Sequence, residues 1–560
     1  MPWKSRWTVD IPTCSLPTYL FQSPTATLSD KPVLLDAAEP RYHLTQATYR
    51  LWAQRLAAGL LAKGFQPGDR LLLFSGNTIF FPVVLMGTIM AGGIFSGANP
   101  GYVARELEFQ LSNTGATFLI CWEDGLDIGL EAAQKAGLSK DHVFVFDGGM
   151  ETFDERGRAK QGIQHWSKLL ADVETGRKFA WKEAKTRADM DETIVLNYSS
   201  GTTGVPKGVE ITHMNYVSNC MQTEYVQALD PDYEQRLTRW VGLSMLPMYH
   251  AYGQTVFCVS SVQKRIPVYI MRKFDFGKML DAIQKYRITG LTLVPPIAVA
   301  LAKRPEVKNF DLSSIEAAGC GAAPLGQEAK VEFEGLWSGK QVNLKQGWGM
   351  TEITCSACGI EPTMWADDAT VGELNPNIEG MIIDDDGKEL GINERGEFLV
   401  KGPNVMKGYW RREDATRDTM TADGWLKTGD IAYRDEKGMI YIVDRKKELI
   451  KVKGNQVAPA ELEGLLLEHP SIQDAAVIGV TINGEELPRA YIHLQDGTRP
   501  TEQEIASWLG EKVAKHKRLA GGVKFVDLIP KNPSGKILRK ILREQAAKEV
   551  GDQGPRASKL

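Results

Sequence analysis

The sequence has few of the features that mark a disulfide-rich or nucleic-acid-binding protein. Seven cysteines at scattered positions in 560 residues exclude a disulfide framework and favour a reducing compartment. Cys355 and Cys358 form a Cys-x-x-Cys pair, but no second pair and no nearby histidine completes a zinc site, so we expect both to pack in the interior. A formal net charge of -4 gives no excess of positive charge of the kind that binds nucleic acid or acidic membranes.

The sequence also lacks a segment that fits a secretion signal or a membrane span. Residues 1–7 have no apolar core of the kind that signal peptides carry. The run Ile79–Ala98 contains no charged residue and is long enough to cross a bilayer. Pro82 and the pair Gly92–Gly93 interrupt it. We therefore predict a buried helix, a glycine turn and a buried strand within an α/β layer.

The length and the order of the apolar segments predict a multidomain α/β protein. A chain of 560 residues is too long for one hydrophobic core. Its 43% hydrophobic and 24% charged residues are typical of a soluble globular protein. Strands that alternate with helices indicate parallel α/β layers. Helices are expected at 42–64 and 105–111, strands at 70–74, 116–121 and 143–146, and surface loops over the polar segment 150–190.

The most informative stretch is Tyr198–Val209, which follows the apolar run Thr193–Leu196. The run predicts a buried strand, and the glycines and hydroxyl side chains after it suit a loop that binds phosphate. Lys207 adds a positive charge, but the spacing differs from the Gly-x-x-x-x-Gly-Lys-Ser/Thr of a Walker loop. The predicted phosphate-binding residues are Ser199, Ser200, Gly201, Thr202, Thr203, Gly204 and Lys207.

Two stretches beyond this loop suit a small-molecule pocket. Leu243–Gly253 places a single histidine, His250, at the expected end of an apolar strand. A lone histidine is more often structural than catalytic, and its neighbours decide between the two. Ala317–Leu325 is a run of very small residues, which would let a flat ring lie against the backbone. Between the two, Gly290–Ile297 is expected to be a strand that enters a turn.

The stretch Gln346–Glu352 combines an aromatic ring, a hydroxyl and a carboxylate. Trp348 stands between two glycines, where its ring can stack on a purine. Thr351 and Glu352 offer the oxygen atoms that Mg²⁺ prefers. This stretch therefore predicts the base and metal part of a nucleotide site.

The last third of the sequence changes from long apolar segments to short strands. Val371–Tyr441 has frequent Gly/Asp turns, which predict an antiparallel subdomain. Asp430 is expected in a tight turn, where its carboxylate could accept from two hydroxyls. The basic run Tyr441–Glu461 fits either a solvated strand face or a domain boundary. A compact α+β unit follows, with helices expected at 459–470, 502–513 and from 537 onward (inward residues Ile537, Leu538, Ile541 and Leu542) and strands at 475–480, 489–494 and 523–528.

In their spacing and order, these motifs resemble the adenylate-forming superfamily of acyl-CoA synthetases, firefly-type luciferases and peptide-synthetase adenylation domains. The resemblance covers essentially the whole chain and is closest to 4-coumarate:CoA-ligase-like acyl-CoA synthetases. It implies an α/β fold with a large N-terminal domain of α/β layers and a small antiparallel β subdomain, followed by a small mobile α+β domain. We expect an AMP-binding domain at 1–446, the mobile domain at 447–550 and a flexible tail at 551–560.

The resemblance also implies roles for individual residues. The catalytic set would be Lys536, Lys451, Gln456, His250 and Glu352, with Lys447 as the hinge, Lys453 and Gly454 on the path of CoA, and Thr351 and Glu352 as Mg²⁺ ligands. An acyl pocket would include Tyr249, His250, Gly319 and Gly347. ATP or AMP would contact the phosphate loop and Gly321, Ala322, Ala323, Gln346, Gly347, Trp348, Gly349, Met350, Thr351, Asp430, Ile442 and Arg445.

The implied activity is an acid:CoA ligase that uses ATP, Mg²⁺ and coenzyme A. An aryl, arylalkyl or medium-chain fatty acid would be adenylated, and its acyl group would then pass to CoA with release of AMP. A luciferase-like oxygenase, or an adenylating enzyme that does not use CoA, is the alternative. A peptide-synthetase module is disfavoured because the sequence ends soon after Lys536, with no carrier domain.

The sequence closes on Ser558–Lys559–Leu560, preceded by a Gly/Pro-containing stretch. This tripeptide at a C-terminus is the address read by the peroxisomal import receptor. We expect a peroxisomal location and a role such as fatty acid metabolism. We expect no nucleic acid partner and no membrane span.

Overall fold

The computed structural model of the chain describes residues 2–154, 156–199, 206–337, 339, 342–366, 368–453, 455–482, 484–532 and 535–550. Within these residues, two mainly parallel sheets and one antiparallel sheet precede a smaller α+β unit. The α-helices in these residues are Leu16–Phe21, Gln46–Ala62, Phe81–Met90, Ala104–Thr114, Leu126–Lys135, Met150–Phe153, Val173–Lys178, Arg187–Met190, His213–Gln227, Tyr233–Arg239, Ala251–Gly253, Ser261–Gln263, Phe276–Tyr286, Pro295–Lys303, Gln327–Glu334, Glu413–Thr419, Pro459–Leu467, Glu502–Lys512 and Arg539–Val550.

The first sheet carries the strand that leads into the phosphate loop. Thr193–Ser199 pairs in parallel with Ile94–Ala98 and antiparallel with Lys207–Thr212. Because Ser199 and Lys207 face each other in register, both ends of the loop are anchored in the sheet. The strand order is Gly408–Tyr409, Lys207–Thr212, Thr193–Ser199, Ile94–Ala98, Arg70–Phe74, Phe118–Trp122, Val143–Phe146 and Gln164–His165.

The uncharged run Ile79–Ala98 lies in the interior, as predicted. Every residue of the helix Phe81–Met90 and of the strand Ile94–Ala98 is buried. Gly92 has a φ of 77°, which suits the turn between them. Among the described residues, no helix is long and apolar enough to cross a membrane.

The second sheet carries the run of small residues and the start of the aromatic motif. Ala317–Cys320 pairs in parallel with Gly290–Leu293 on one side and with Leu344–Gln346 on the other. The carboxyl ends of neighbouring parallel strands meet at one edge of a sheet, where ligands bind in α/β folds. The strand order is Leu344–Gln346, Ala317–Cys320, Gly290–Leu293, Gly242–Ser244, Val268–Ile270, Pro32–Asp36 and His43–Thr45.

The third sheet is the predicted antiparallel subdomain, and it contains a strand that the sequence patterns did not indicate. Trp3–Lys4, at the N-terminus, pairs antiparallel with Glu379–Ile383. The remaining order is Gly396–Lys401, Leu426–Arg434 and Ile440–Arg445. The first residues of the sequence and residues 379–445 therefore build this sheet together.

The α+β unit that follows contains its own apolar interior. Ile472–Ile482 and Glu485–Leu494 form a long hairpin, and Val523–Phe525 adds a parallel strand. A second hairpin joins Ile450–Val452 to Asn455–Val457. Two clusters of buried residues consist entirely of residues after position 449. This separation supports the expected boundary near residue 447, which stays a prediction.

Several secondary-structure predictions were wrong in extent or type. The segment 150–190 forms short helices and buries Trp166 and Trp181, so it is not a set of surface loops. Gly290–Ile297 leads into the helix Pro295–Lys303 rather than a turn, because two prolines suit the first turn of a helix. The last helix begins at Arg539, with Leu542 and Ala546 buried and Ile541 47% exposed.

Candidate active site

A cleft of about 1620 Å³ lies between the two α/β sheets, the antiparallel sheet and the C-terminal unit. Most of the predicted nucleotide residues that the structure describes line this cleft, together with Lys536. These residues are Ser199, Lys207, Ala322, Ala323, Gln346, Gly347, Trp348, Gly349, Met350, Thr351, Glu352, Asp430, Ile442 and Arg445. The predicted hinge residue, Lys447, lines the cleft as well. Ser200, Gly201, Thr202, Thr203, Gly204 and Gly454 lie outside the described residues.

Lys207, at the end of the predicted phosphate loop, lies beside an aromatic ring and a carboxylate. Its Nζ is 4.2 Å from the centroid of the Tyr409 ring. The Tyr409 hydroxyl donates to Glu352 Oε1 at 2.9 Å. Burial lowers the pKa of Lys207, and the charge of Glu352 opposes that shift. Tyr409 thus links the loop lysine to the candidate metal ligand.

Thr351 and Glu352 lie in a single helical turn, Thr351–Ile353, beside the cleft. Glu352 is buried, with 7% of its surface exposed, and the Tyr409 hydroxyl fixes one of its oxygens. A carboxylate held in this way keeps acceptor capacity on its second oxygen. A hard divalent cation could therefore be held by Glu352 and Thr351.

Trp348 is fixed by a polar contact at one edge and by an aromatic ring. Its indole N–H donates to Asp430 Oδ2 at 2.8 Å. Its ring centroid lies 5.0 Å from that of Phe398, at an interplanar angle of 51°. Gly321 does not line the cleft, and a Cβ there would lie 3.5 Å from the Tyr252 ring.

Asp430 lies within the strand Leu426–Arg434 and not in a tight turn, which corrects the prediction. The preceding residue, Gly429, has a φ of 72°, a conformation that favours glycine. Asp430 pairs in register with Arg445, and the Arg445 Nε is 3.9 Å from Asp430 Oδ1. Burial raises the pKa of Asp430, while Arg445 and the Trp348 N–H favour its ionised form.

Lys536 reaches the cleft from the turn before the last helix. Its backbone N–H donates to Asn532 Oδ1 at 2.9 Å. Burial and the nearby Arg445 charge lower the pKa of Lys536 to about 8, although Asp430 and Glu352 oppose the shift. Lys536 is therefore close to both acidic residues of the predicted nucleotide site.

His250 precedes the short helix Ala251–Gly253, six residues after the strand Gly242–Ser244 ends. It is therefore not at the end of that strand. Its Nδ1 accepts from the Tyr252 N–H at 3.4 Å. Burial, followed by the Lys536 charge, lowers the pKa of His250 to about 4. Near neutral pH the imidazole is uncharged, and its proton is on Nε2.

The other predicted acyl-pocket residues differ in position. Gly347 lines the main cleft, whereas Tyr249 and Gly319 do not. The Tyr249 Cβ would be 3.0 Å from a Cβ added at Gly97. Gly319 borders open space, since a Cβ built on it meets no heavy atom within 4 Å.

The hairpin that carries Lys451, Lys453 and Gln456 is not part of the cleft. Among the described residues that line the cleft, none comes from this hairpin. The Lys451 N–H donates to Glu486 Oε2 at 2.9 Å, and the Lys453 Nζ is 3.3 Å from Glu485 Oε1. The structure thus brings Lys536 to the nucleotide residues and leaves the predicted thioesterification residues elsewhere.

Two other groups of side chains have the chemistry of a metal or redox site. All seven cysteines, which all lie in the described residues, are free thiols, and burial raises the pKa of Cys355 to about 12. Asp147, Glu151 and His165 lie close together. Both ring nitrogens of His165 are already engaged, by Asp147 and Ser167. Neither group of side chains indicates a metal or redox site.

Two residues of the site were not predicted from the sequence. Tyr409 and Phe398 belong to strands of two different sheets, and no motif marks either of them. Each is significant only because the fold brings it to Glu352 or Trp348.

Comparison with known proteins gives matches over nearly the whole chain. Residues 21–410 match the family described as AMP-binding enzyme, and residues 461–536 match the AMP-binding enzyme C-terminal domain. A phenylacetyl-CoA ligase of Aspergillus niger is 36% identical over 554 residues, covering 97% of this chain and 99% of the relative. A probable 4-coumarate–CoA ligase of Dictyostelium discoideum is 36% identical over 498 residues, covering 88% of each.

A solved structure shares the fold and the order of the two parts. The crystal structure of ATP-bound MatB from Rhodopseudomonas palustris has a TM-score of 0.80 and 27% identity, over 96% of this chain and 99% of that one. The predicted α/β architecture with a small C-terminal domain is confirmed. The chain therefore belongs to the AMP-binding enzyme family, the adenylate-forming superfamily, and lies close to its 4-coumarate-CoA-ligase-like members.

Proposed function

We propose that the protein is an AMP-forming acid–CoA ligase for an aryl, arylalkyl or medium-chain carboxylic acid. The observation that carries the proposal is the convergence of Lys536, Asp430 and Glu352 on one cleft. The ligases of Aspergillus niger and Dictyostelium discoideum described above support the same activity.

The first half-reaction joins two anions, so negative charge builds up on the phosphates. The cleft places positive charge beside them. A carboxylate oxygen attacks the α-phosphorus of ATP, the bond to the β-phosphate oxygen breaks, and pyrophosphate leaves with that electron pair. Lys207 and Lys536 would face the phosphates, and Asp430 would accept from the ribose. One such charge at ~4 Å and an effective dielectric constant of ~20 contributes about 4 kcal/mol.

We include Mg²⁺ in the proposal because the carboxylate of Glu352 fits a hard cation. Its Oε1 is held by the Tyr409 hydroxyl, and the Thr351 side chain is the neighbouring oxygen donor. When bound, Mg²⁺ would offset negative charge on the phosphates. The residues of this chain would orient ATP around it.

The second half-reaction needs the thiol of CoA to attack the acyl-adenylate carbonyl and release AMP. Lys451, Gln456, Lys453 and Gly454 would serve this step after the small domain turns about Lys447. Their hairpin is remote from the cleft while Lys536 is in it, which supports a sequence of two arrangements. The neutral His250 would lie near the carbonyl, where its Nε2–H can donate without adding a charge.

The acyl pocket is expected beside Gly319. Gly319→Val should lower kcat/KM for phenylacetate by about tenfold, and for acetate by less than about twofold, because the added methyls extend into open space. The strand should tolerate the change, since β-branched residues suit strands. Gly339→Val, on an exposed turn, is the control. Equal losses with both acids would contradict the assignment of this pocket.

The test of the function is pyrophosphate release across a panel of carboxylic acids, each with and without CoA. Release that multiplies with CoA for aryl, arylalkyl or medium-chain acids, together with formation of the thioester, supports the ligase. Release that is indifferent to CoA, or light emission with a luciferin, would overturn it in favour of an adenylating enzyme or an oxygenase.

The pKa of Lys536 gives a pH dependence for adenylation. With a pKa of about 8 in the free enzyme, the ammonium is present below this pH and is lost above it. We therefore expect kcat/KM for ATP to fall about tenfold per pH unit on the alkaline side. Lys536→Arg should be slower but should lack this limb, because guanidinium stays charged. An unchanged limb in the variant would assign the titration to another group.

We also propose a peroxisomal location, on the tripeptide Ser558–Lys559–Leu560. A fluorescent protein fused before the full sequence should enter peroxisomes, and the same fusion without the last three residues should stay in the cytosol. Import that is independent of the tripeptide would contradict this proposal.

A further inference from the structure

An aromatic chain connects the N-terminal strand to the nucleotide site. The Trp3 ring stacks on Phe398, with centroids 6.1 Å apart and an interplanar angle of 11°. Phe398 in turn packs on Trp348, whose indole N–H donates to Asp430 Oδ2. Four side chains thus run in direct contact from residue 3 to the candidate ribose ligand.

We propose that Trp348 is a positioning residue that holds the Asp430 carboxylate for the ribose of ATP, and that Trp3 and Phe398 hold Trp348. The inference rests on the proposed function of Asp430 as ribose ligand. It adds a role for the indole N–H that stacking on a base does not require, and it makes Trp3, in the N-terminal strand, a support for the nucleotide site.

The geometry around Asp430 carries the first part of this proposal. The Trp348 N–H lies at hydrogen-bond distance from Oδ2, whereas the Arg445 Nε is 3.9 Å from Oδ1. A distance of 3.9 Å is beyond a hydrogen bond. Trp348 therefore fixes the orientation of the carboxylate and leaves Oδ1 as the oxygen directed to a ribose hydroxyl.

The N-terminal segment is held firmly enough to support the chain of rings. The Ser5 N–H donates to the Ile378 carbonyl at 2.8 Å, and the Asn377 side chain exchanges two hydrogen bonds with the Val9 backbone. Arg6 pairs with Glu361 and Glu373. This segment precedes residues 21–410, which match the AMP-binding enzyme family.

The test separates positioning from general damage by comparing ATP with 2′-deoxy-ATP and 3′-deoxy-ATP in acid-dependent pyrophosphate release. The variant Trp348→Phe keeps a ring and removes the N–H. We expect KM for ATP to rise about tenfold with kcat nearly unchanged, since a hydrogen bond to a charged group is lost. The wild-type enzyme should prefer ATP over at least one of the two deoxy analogues. In Trp348→Phe the larger of these preferences should shrink by about the same factor, because a misoriented carboxylate no longer binds the ribose hydroxyl that this analogue lacks.

Equal increases in KM for ATP and both analogues would overturn the proposal, since a loosened fold weakens all three alike. Asp430→Ala provides the reference for a site without the carboxylate. If that variant keeps the full preference for ATP, the proposed role of Asp430 itself fails. A different outcome is that the preference for ATP is lost in Asp430→Ala but retained in Trp348→Phe. That result would overturn only the role of Trp348.

Trp3 is tested in the same assay against its neighbour on the same strand. Trp3→Ala should lose part of the ribose discrimination, by about threefold to fivefold, and Trp3→Phe should restore it because a ring again covers Phe398. Lys4→Ala, which removes only an exposed pair with Glu379, should match the wild type. A Trp3→Ala protein with unchanged discrimination would remove the N-terminal strand from the proposal.

Discussion

Lys536→Ala should slow adenylation by about 10²- to 10³-fold, the scale of one lost transition-state donor. Lys536 is half-buried in the cleft, near the charges of Asp430, Glu352 and Arg445, so its ammonium acts where water screens less of its charge than at the surface. The measurement is pyrophosphate release at saturating acid and ATP. Thioester formation from presynthesised acyl-AMP should remain within about threefold of the wild type, because the predicted residues for that step lie on the hairpin 450–457.

The hairpin provides the matched control for this prediction. Lys451→Ala should show the reverse pattern, with adenylation nearly intact and thioester formation from acyl-AMP slowed. The two lysines belong to the same small unit, so a general loss of its stability would impair both variants in both half-reactions. Equal loss of the two half-reactions in Lys536→Ala would contradict the division of labour.

The sequence predicted well those features that depend on local pattern. Residues that approach a phosphate or a ring closely must be small, so Gly347, Ala322 and Ala323 were recognisable as parts of a pocket. Lys536 was recognisable from its turn and its family motif. These residues act through their own side-chain type and local spacing, so the neighbouring sequence is enough to recognise them.

The rest of the site depends on contacts between distant parts of the chain. Tyr409 acquires a role by donating to Glu352, 57 residues away in sequence. Trp3 acquires one by pairing its strand with Glu379–Ile383. A strand of two residues has too little periodicity to be found from sequence, since alternation needs about four residues or more. Packing between distant segments of the chain, and not local pattern, selects these residues.

The errors in secondary structure have the same origin. The composition of 150–190 is polar, yet Trp166 in it is fully buried, because a few apolar side chains suffice to anchor its short helices to the sheet. In the last helix, Ile541 was expected to face inward. The helix begins at Arg539 and buries Leu542, as predicted, together with Ala546, while Ile537 packs against the same cluster. Ile541 is 47% exposed, so it does not belong to the buried stripe.

The largest expected effect on stability comes from Arg539, at the start of that helix. Its Nη2 lies 2.7 Å from both carboxylate oxygens of Glu463, and its Nε donates to the Val477 carbonyl at 3.3 Å. Burial raises the pKa of Glu463, and the charge of Arg539 opposes that shift. Arg539→Met should destabilise the small domain by about 3 to 5 kcal/mol, because it leaves a buried carboxylate without its partner. Native-state hydrogen exchange of the strand Ile472–Ile482 measures this free energy of opening.

Two comparisons distinguish an unpaired charge from lost packing. Lys540→Met changes the next residue of the same helix, whose side chain is 86% exposed, and should alter stability by about 0.5 kcal/mol or less. The double variant Glu463→Met with Arg539→Met should recover most of the loss, since replacing both members of a buried pair by apolar groups is often neutral.

The loss in Arg539→Met should also depend on pH with a defined sign. Without the arginine, the folded-state pKa of Glu463 rises further above its unfolded value. The folded state then binds the extra proton first, so stability falls as pH rises through that range, and lowering the pH should relieve the destabilisation. A loss that is independent of pH and persists in the double variant would instead assign the effect to packing. Because Arg539 lies three residues after Lys536, its loss should also slow adenylation, which would link the stability of the small domain to the lysine that the reaction requires.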